Sequence, residues 1–356
     1  MTSSSKINIK DQVQEYYGKI LTHSNDLKTN ACCTSEGPNK KIKKIISDIH
    51  EEVNNRYYGC GLILPQVLEG MKILDLGSGS GRDVYVLSKL VGEKGYVAGV
   101  DMTDEQLNIA KSYIDYHTKK YGYSKPNVEF KKGYIEFLDE LGFEENSFDI
   151  IVSNCVLNLS PDKEDVLRGV YKLLKPGGEF YFSDVYSDRR MPENLIDNPI
   201  LYGECLSGAL YTNDFTRLAR KVGFNDTRVF ESSTITINNE ELEKLCGEIK
   251  FQSITHRLFK IDKLEDLCED YGQAVVYKGT IPDFPNAFDL DDHHHIEKGK
   301  FFAVCGNTYR MLNETRFAKH FDFYGTWETH FGIFPNCGSP AATDTNNTEN
   351  LSSCGC

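Results

Sequence analysis

Residues Lys72 to Arg82 read Lys-Ile-Leu-Asp-Leu-Gly-Ser-Gly-Ser-Gly-Arg, and this stretch decides the fold. Ile73, Leu74 and Leu76 make a short apolar run of buried-strand type, and Gly77, Gly79 and Gly81 follow at alternate positions. Glycines spaced so closely serve a backbone that turns tightly or lies against a ligand. A second strand-like run ends at Asp101, twenty residues past Gly81, where a carboxylate can accept hydrogen bonds from ribose hydroxyls. The stretch predicts the first strand and turn of a nucleotide-binding α/β sheet carrying a nucleoside-containing ligand.

Outward from that turn, strands and helices alternate in the manner of a doubly wound parallel sheet. Strands are predicted at 72–76, 96–101, 127–131, 148–153 and 179–185, and helices at 82–91, 104–119 and 163–174, the last stopped by Pro176-Gly177-Gly178. Ligands in such sheets sit beyond the carboxyl ends of the strands. That singles out Asp75 to Gly81, Asp101-Met102, Gly133 to Glu136, Asn154-Cys155 and the residues from Asp184 onward. Helix 213–222 and strand residues 227–238 follow, and beyond about residue 240 the pattern changes to a helix at 240–245 and strands at 255–261 and 274–280. The domains read as an N-terminal helical segment (1–55, helices at 13–21 and 40–53) with a mobile Cys32-Cys33 loop, a ligand-binding domain (56–238), a smaller α+β domain (239–330), and a disordered tail (331–356) holding Cys337, Cys354 and Cys356.

Composition narrows the function. At 356 residues, 40% hydrophobic and 12% aromatic, the chain has ample material for a core. A formal net charge of -13 opposes a nucleic-acid partner and an anionic membrane surface, which leaves a small-molecule substrate. No apolar run reaches the ~20 residues of a membrane span, and the polar N-terminus has no signal-peptide core; a cytoplasmic protein is expected. Eleven cysteines are then unusual, because a reducing cytosol offers them no lasting structural disulfides. Cys246, Cys268 and Cys305 lie in apolar segments and read as buried hydrophobes. The Asp291-Asp292-His293-His294-His295 tract reads as a solvated loop rather than a metal site.

The pattern Gly-x-Gly-x-Gly, preceded by Asp75 within the strand, suits S-adenosylmethionine better than a dinucleotide, since a carboxylate in the turn welcomes an ammonium and repels a pyrophosphate. With Asp101, the Gly133-Tyr134-Ile135-Glu136 stretch and Leu173-Leu174-Lys175-Pro176-Gly177-Gly178, the chain resembles the class I S-adenosylmethionine methyltransferases, an α/β Rossmann-like doubly wound fold. That resemblance implies that Gly77, Ser78, Gly79 and Gly81 lie against the methionine moiety. It places Asp75 at the ammonium, Asp101 at the ribose, and Ile135 and Glu136 at the adenine. Met102 packs on the adenine or belongs to the core, and Gln106 and Asn154 complete the set.

Three thiols occupy the same side of the predicted sheet: Cys155 after the fourth strand, Cys205 after the fifth, and Cys60 in Tyr57-Tyr58-Gly59-Cys60-Gly61 before the first. Three thiolates without histidine suit a soft trivalent centre better than a hard cation, and the paired Cys-x-x-Cys or His spacing of zinc sites is missing around them. Thr29-Asn30-Ala31-Cys32-Cys33, Tyr57 to Leu62, Leu74 to Asp83, Gly99 to Thr103, Ser153 to Leu159, Phe182 to Tyr186 and Gly203-Glu204-Cys205 closely resemble arsenite methyltransferases over residues ~15 to 325. The resemblance implies methylation of trivalent arsenic from S-adenosylmethionine. Cys155 and Cys205 are then arsenic ligands throughout, Cys60 is a third, Cys32 pairs with Cys60 in a redox disulfide, and Tyr58 lies near the cofactor. It further implies arsenite or its glutathione conjugates as substrate, thioredoxin or glutathione as electron donor, and a monomer. A cysteine that some members carry just before Phe251 is Ile249 here, with Cys246 three residues upstream. Two other readings are a class I methyltransferase for a different small thiophilic or organic acceptor, and a non-catalytic arsenic or metal sequestration protein.

Overall fold

A computed structural model of the chain describes residues 40–57, 61–196, 198, 201–202, 205–237 and 239–335. Cys32, Tyr58, Cys60, the expected helix at 13–21 and the cysteine-bearing tail beyond residue 335 lie outside the described residues.

Apolar spacing and caps set the first elements. Helix α1 (Lys40–Ser47) buries Ile42 and Ile45, and α2 (Glu51–Asn55) starts afresh because His50 caps it, its side chain accepting from Glu52 N. The single helix expected at 40–53 is thus two. Next come β1 (Lys72–Leu76), α3 (Arg82–Val91), β2 (Tyr96–Asp101), α4 (Asp104–Ser112), α5 (Ile114–Tyr121), β3 (Val128–Lys132) and β4 (Phe148–Asn154). The helix expected at 104–119 breaks at Tyr113, whose φ of -108° and ψ of 13° leave the helical basin. Its ring stacks on His50 at 3.8 Å, so a tertiary contact there overrides local propensity.

Helix α6 (Lys163–Leu173) leads directly into β5 (Leu174–Ser187). Pro176-Gly177-Gly178 forms an irregularity inside this strand, between the pairs Phe148↔Leu174 and Ile150↔Glu179; the stop expected there is a bulge instead. After α7 (Glu193–Ile196), β6 (Leu210–Tyr211) and α8 (Thr212–Val222) come β7 (Thr227–Thr234), α9 (Glu240–Cys246) and β8 (Phe251–Phe259). The sheet runs β3-β2-β1-β4-β5-β8-β7, with β6 pairing β5 off this path. Strands β1 to β5 are parallel, and β8 is antiparallel to both neighbours. Reversal of strand order around β1 and β4 creates a switch point, where the carboxyl ends diverge and leave a crevice.

Smaller sheets follow: β10 (Gln273–Tyr277) lies between β13 (Phe301–Val304) and β14 (Phe321–Tyr324), while β11 (Ala287–Asp289) pairs β12 (His295–Glu297) and β9 (Glu269–Asp270) pairs β15 (Gly332–Ile333). Helix α10 (Gly306–Asn313) covers a separate core with Val275, Tyr277, Phe288 and Phe317. A buried ion network joins this region to the sheet: Glu179 on β5 accepts from Arg257 on β8 and from Arg316, and Arg257 Nη1 donates to Leu290 O at 2.9 Å. Among the described residues no helix is long and apolar enough to cross a membrane.

Candidate functional site

The crevice at the switch point is a cleft of ≈ 1040 Å³, its open mouth included. Its floor is the glycine turn. Gly77 (φ 73°) and Gly79 (φ 51°) are left-handed, a conformation costing other residues roughly 1–2 kcal/mol. A Cβ on Gly77 would stand 2.4 Å from Val156 Cγ2, whereas one on Gly79 meets nothing within 4 Å, so Gly79 opens on the cleft. Asp101 holds the turn from across β2, accepting from Gly79 N at 2.9 Å and from Thr103 N at 2.8 Å.

Of the residues expected at the cofactor, Asp75, Gly77, Ser78, Gly79, Asp101, Met102, Gln106, Ile135, Glu136 and Asn154 line the cleft. Gly81 is not among the lining residues: it caps α3 at φ 86°, and a Cβ there would strike Phe130 at 2.7 Å, so its smallness serves packing of helix on strand. Arg56, Tyr57, Asp83, Thr103 and Ser160 also line the cleft and were not anticipated. Asp83, two residues beyond Gly81, was within reach of sequence reasoning as the acid of the first helical turn.

Electrostatics divide the cleft. Burial lifts the Asp75 carboxyl well above its usual range, and the charges of Asp83 and Asp101 add to this. Asp83 and Asp101 are likewise raised, mainly by burial. Arg56 is the basic lining residue among those described. Three crowded acids favour a ligand that brings positive charge and disfavour a pyrophosphate. Ser78 Oγ is buried without a hydrogen-bond partner. An ammonium-bearing sulfonium nucleoside fits this end, so the donor set suits S-adenosylmethionine.

Next to these acids, Asn154 Nδ2 donates to Tyr57 Oη at 2.8 Å and to Gly61 O at 2.7 Å, and the Arg82 guanidinium lies 3.5 Å over the Tyr57 ring. At the opposite end, Ser160 Oγ donates to Glu136 Oε1 at 2.8 Å, while Met102 and Leu159 pack against Tyr202.

The sulfur side adjoins Asn154. Cys155 (φ 55°) and Cys205 (φ 62°) are both left-handed, together with Val67 and Asn146 among the described non-glycine residues. Such outliers persist where surrounding structure enforces them and concentrate at functional sites. Cys155 N donates to Ser183 O at 2.8 Å, and Cys205 Sγ donates to Cys155 O at 3.3 Å. The structure thus brings the Cys205 thiol against the backbone of Cys155, the two residues coming from separate segments. Both lie in an apolar cluster with Val185, Leu206 and Phe251. Cys155 is disulfide-bonded, so its expected role as an arsenic ligand refers to the reduced protein.

Cys246 and Cys305 are buried, as expected, but Cys268 is only half-buried. The Asp-Asp-His-His-His tract is solvated, as expected, at Asp292, His293 and His295, but not at its other two residues: His294 is fully buried and bonds Asp291 at 2.7 Å, and Arg228 ion-pairs Asp291 at 3.0 Å. Among the described residues no group of three or more His, Cys, Asp or Glu could hold a metal ion.

Comparison with known proteins agrees with this geometry. A family model described as a methyltransferase domain matches residues 68–223, and one described as the arsenite methyltransferase C-terminal domain matches 271–349. The chain is 56% identical to an arsenite methyltransferase of Aquipseudomonas alcaligenes, covering 92% of this chain and 94% of that protein. It is 48% identical to the arsenite methyltransferase of Homo sapiens, covering 88% and 83%. The crystal structure of an arsenic (III) S-adenosylmethionine methyltransferase from Chlamydomonas reinhardtii aligns with a TM-score of 0.81 at 52% identity, over 84% of this chain and 100% of that one.

Proposed function

The chain belongs to the arsenite methyltransferase family and is an S-adenosylmethionine-dependent methyltransferase; from that premise we propose that Cys155 and Cys205, with Cys60, hold trivalent arsenic as thiolates beside the cofactor cleft. The observation that carries this reading is the contact of Cys205 Sγ with Cys155 O, between two left-handed cysteines of which Cys155 lines the cleft.

S-adenosylmethionine, when bound, supplies an electrophilic methyl on a sulfonium. Asp75 would receive its ammonium, the backbone of Gly77 to Gly79 would hold its methionine part, Asp101 would take the ribose hydroxyls, and Ile135, Glu136 and Met102 would hold the adenine. Tyr58, Gln106 and Asn154 complete these contacts. The protein's remaining task is to present arsenic. Thiolates are soft ligands matched to a soft centre, and arsenic bound through sulfur keeps a lone pair and has no proton to lose. No general base is required, which agrees with a cysteine, not a histidine or carboxylate, following β4.

Gain of a methyl cation raises arsenic formally from trivalent to pentavalent, so two electrons must return before another cycle. Two thiols that close a disulfide release two electrons and two protons, and an external dithiol or glutathione reopens the bond. Cys32 and Cys60 are the proposed pair. The disulfide on Cys155 supports sulfur redox chemistry in this pocket and means that a reductant must act before Cys155 can bind arsenic. The proposed setting is the cytoplasm, as a monomer drawing on thioredoxin or glutathione, with arsenic detoxification as the outcome.

The test uses reduced full-length protein with arsenite, S-adenosylmethionine and thioredoxin or glutathione, followed by separation of arsenic species. Methylated arsenic is expected from wild type, and none from Cys155→Ser or Cys205→Ser, since serine keeps the shape but not the soft donor. Methylation that survives either substitution refutes the ligand assignment.

A further inference from the structure

Lys163 breaks two local preferences at once. It opens helix α6, where the helix dipole disfavours a cation. Its ammonium is also turned inward, and burial draws it down to about 8. Its neighbours Glu164 and Asp165 are the acids normally found in a first turn. A residue that defies the rules its neighbours obey is held in place for another purpose.

Its contacts show that purpose. Lys163 Nζ donates to Ser160 O at 2.8 Å and to Asn158 O at 3.2 Å, bracing the turn that follows Cys155. Asn158 is 1% exposed; its backbone N donates to Asp184 Oδ2 at 3.0 Å and its side chain to Val185 O. Toward the cofactor, Ser160 Oγ donates to Glu136 Oε1 at 2.8 Å. Toward the sulfurs, Cys155 O accepts Cys205 Sγ at 3.3 Å. The turn is therefore strung between the adenine end of the cleft and the two thiols. Lys163 ties its carbonyls together, and its charge is felt by Asp184, Cys205 and Glu136.

We propose that Lys163 is a positioning residue for arsenic: its ammonium cross-braces the turn after Cys155, so that Cys155 and Cys205 keep the spacing one metalloid atom needs. This rests on the reading of both cysteines as arsenic ligands. An ordinary stabilising contact would lower the melting point and leave arsenic kinetics alone. A brace for the thiols acts on arsenic and spares the methyl donor.

The experiment compares Lys163→Met, which fills the space without donating, with Lys163→Arg, which can still reach two carbonyls. Reduced full-length proteins are assayed for kcat and for the separate KM values of arsenite and S-adenosylmethionine. S-adenosylhomocysteine binding is measured by calorimetry, and the arsenic–sulfur coordination number by X-ray absorption. Lys163→Met is expected to lose at least ~10-fold in kcat/KM for arsenite, as a slight misplacement of a reacting centre does, with fewer sulfurs around arsenic and cofactor-analogue affinity within ~2-fold. Lys163→Arg should recover most of that loss. Arsenic kinetics and a sulfur number in Lys163→Met matching wild type overturn the proposal, as does a well-folded Lys163→Arg no better than Lys163→Met. Should Lys163→Met not fold, Lys163→Leu, which also cannot donate, carries the same comparison. Failure of the sulfur reading looks different: wild type itself would show no arsenic–sulfur scattering, or Cys155→Ser and Cys205→Ser would both keep the wild-type sulfur number, and the proposal would fall with it.

Discussion

Gly208 offers a test of how closely the two thiol-bearing segments must approach, because a single methyl there meets the backbone of Asn158 first. A Cβ built on Gly208 stands 2.1 Å from Asn158 O and 3.0 Å from Asn158 C. An ordinary carbon–oxygen contact is about 3.3 Å, so against 2.1 Å the two segments must part by about 1.2 Å. Gly208 lies outside the left-handed region, so Gly208→Ala introduces crowding without torsional strain. Neither neighbour can swing away like a flexible side chain. Asn158 is fixed by Asp184, Val185 and Lys163, which leaves the Cys205 to Ala209 segment to move and to carry Cys205 away from Cys155. Overpacking of this kind costs about 1–3 kcal/mol of stability, and a displacement near 1 Å at a reacting centre costs about 100-fold in rate. We expect Gly208→Ala to lose about 100-fold in kcat/KM for arsenite. Calorimetric binding of S-adenosylhomocysteine should stay within a few-fold, because the Gly77 to Gly79 turn and Asp101 are not in contact with residue 208. Wild-type arsenite kinetics in a folded Gly208→Ala protein would refute this reasoning, as would an equal loss of cofactor-analogue binding.

Two further outcomes follow from buried charge. Glu179 lies between Arg257 and Arg316, and the two guanidiniums hold its carboxyl low despite burial; Glu179→Gln leaves both cations uncompensated and should cost about 3–5 kcal/mol in urea unfolding, an assignment that a loss below about 1 kcal/mol would contradict. Asp184 is held up at about 7 by burial, above the roughly 3.9 of an unfolded aspartate, so the folded state retains a proton that the unfolded state has lost. Its contribution therefore weakens stability as pH rises from about 4 to about 7 and levels off above. Asp184→Asn should remove that part of the slope when wild type and variant are unfolded across the range, and parallel pH curves would disprove it.

What could be read from the chain depended on how far the deciding contacts lie in sequence. The Ile73 to Leu76 run, the glycines and Asp101 define a local strand, turn and acid, and each lies where periodicity placed it. The strand-end cysteines were legible for the same reason. Gly81 shows the limit: its smallness is spent on Phe130, from β3, which nothing in the turn announces. Continuation of β5 through Pro176-Gly177-Gly178 depends on Lys260, which exchanges backbone hydrogen bonds with Gly177 and Gly178, and next to it Glu179↔Phe259 joins residues eighty positions apart. His294 is buried where it bonds Asp291, which Arg228 in turn pairs from β7, whereas its own neighbours read as a surface loop. The left-handed backbone at Cys155 and Cys205 has no local signal at all, since cysteine has no preference for that conformation.

That last feature joins the fold to the chemistry. A left-handed cysteine costs about 1–2 kcal/mol, and glycine at either position would remove the cost. Cys155 N bonds Ser183 O, Cys205 N bonds Tyr202 O, and Cys205 Sγ bonds Cys155 O. At about 0.5–1.5 kcal/mol net each, these bonds are of the size needed to offset it. What the sulfurs then face differs from what the cofactor faces. Asp75, Asp83 and Asp101 make one end of the cleft acidic, suited to a cationic donor. Cys155 and Cys205 instead pack with Val185, Leu206, Ile235 and Phe251, while Asp184 and Lys163 hold the turn that follows Cys155. A divalent cation held by all three proposed thiolates would leave a net negative charge among these apolar side chains. Trivalent arsenic that exchanges hydroxyls for thiolates stays neutral and incurs no such penalty. On the proposed reading, selectivity therefore comes from the apolar surroundings of Cys155 and Cys205 as much as from sulfur itself. On the same reading, the acidic end formed by Asp75, Asp83 and Asp101 takes the cationic methyl donor, and the cysteines, backed by apolar side chains, take the neutral acceptor.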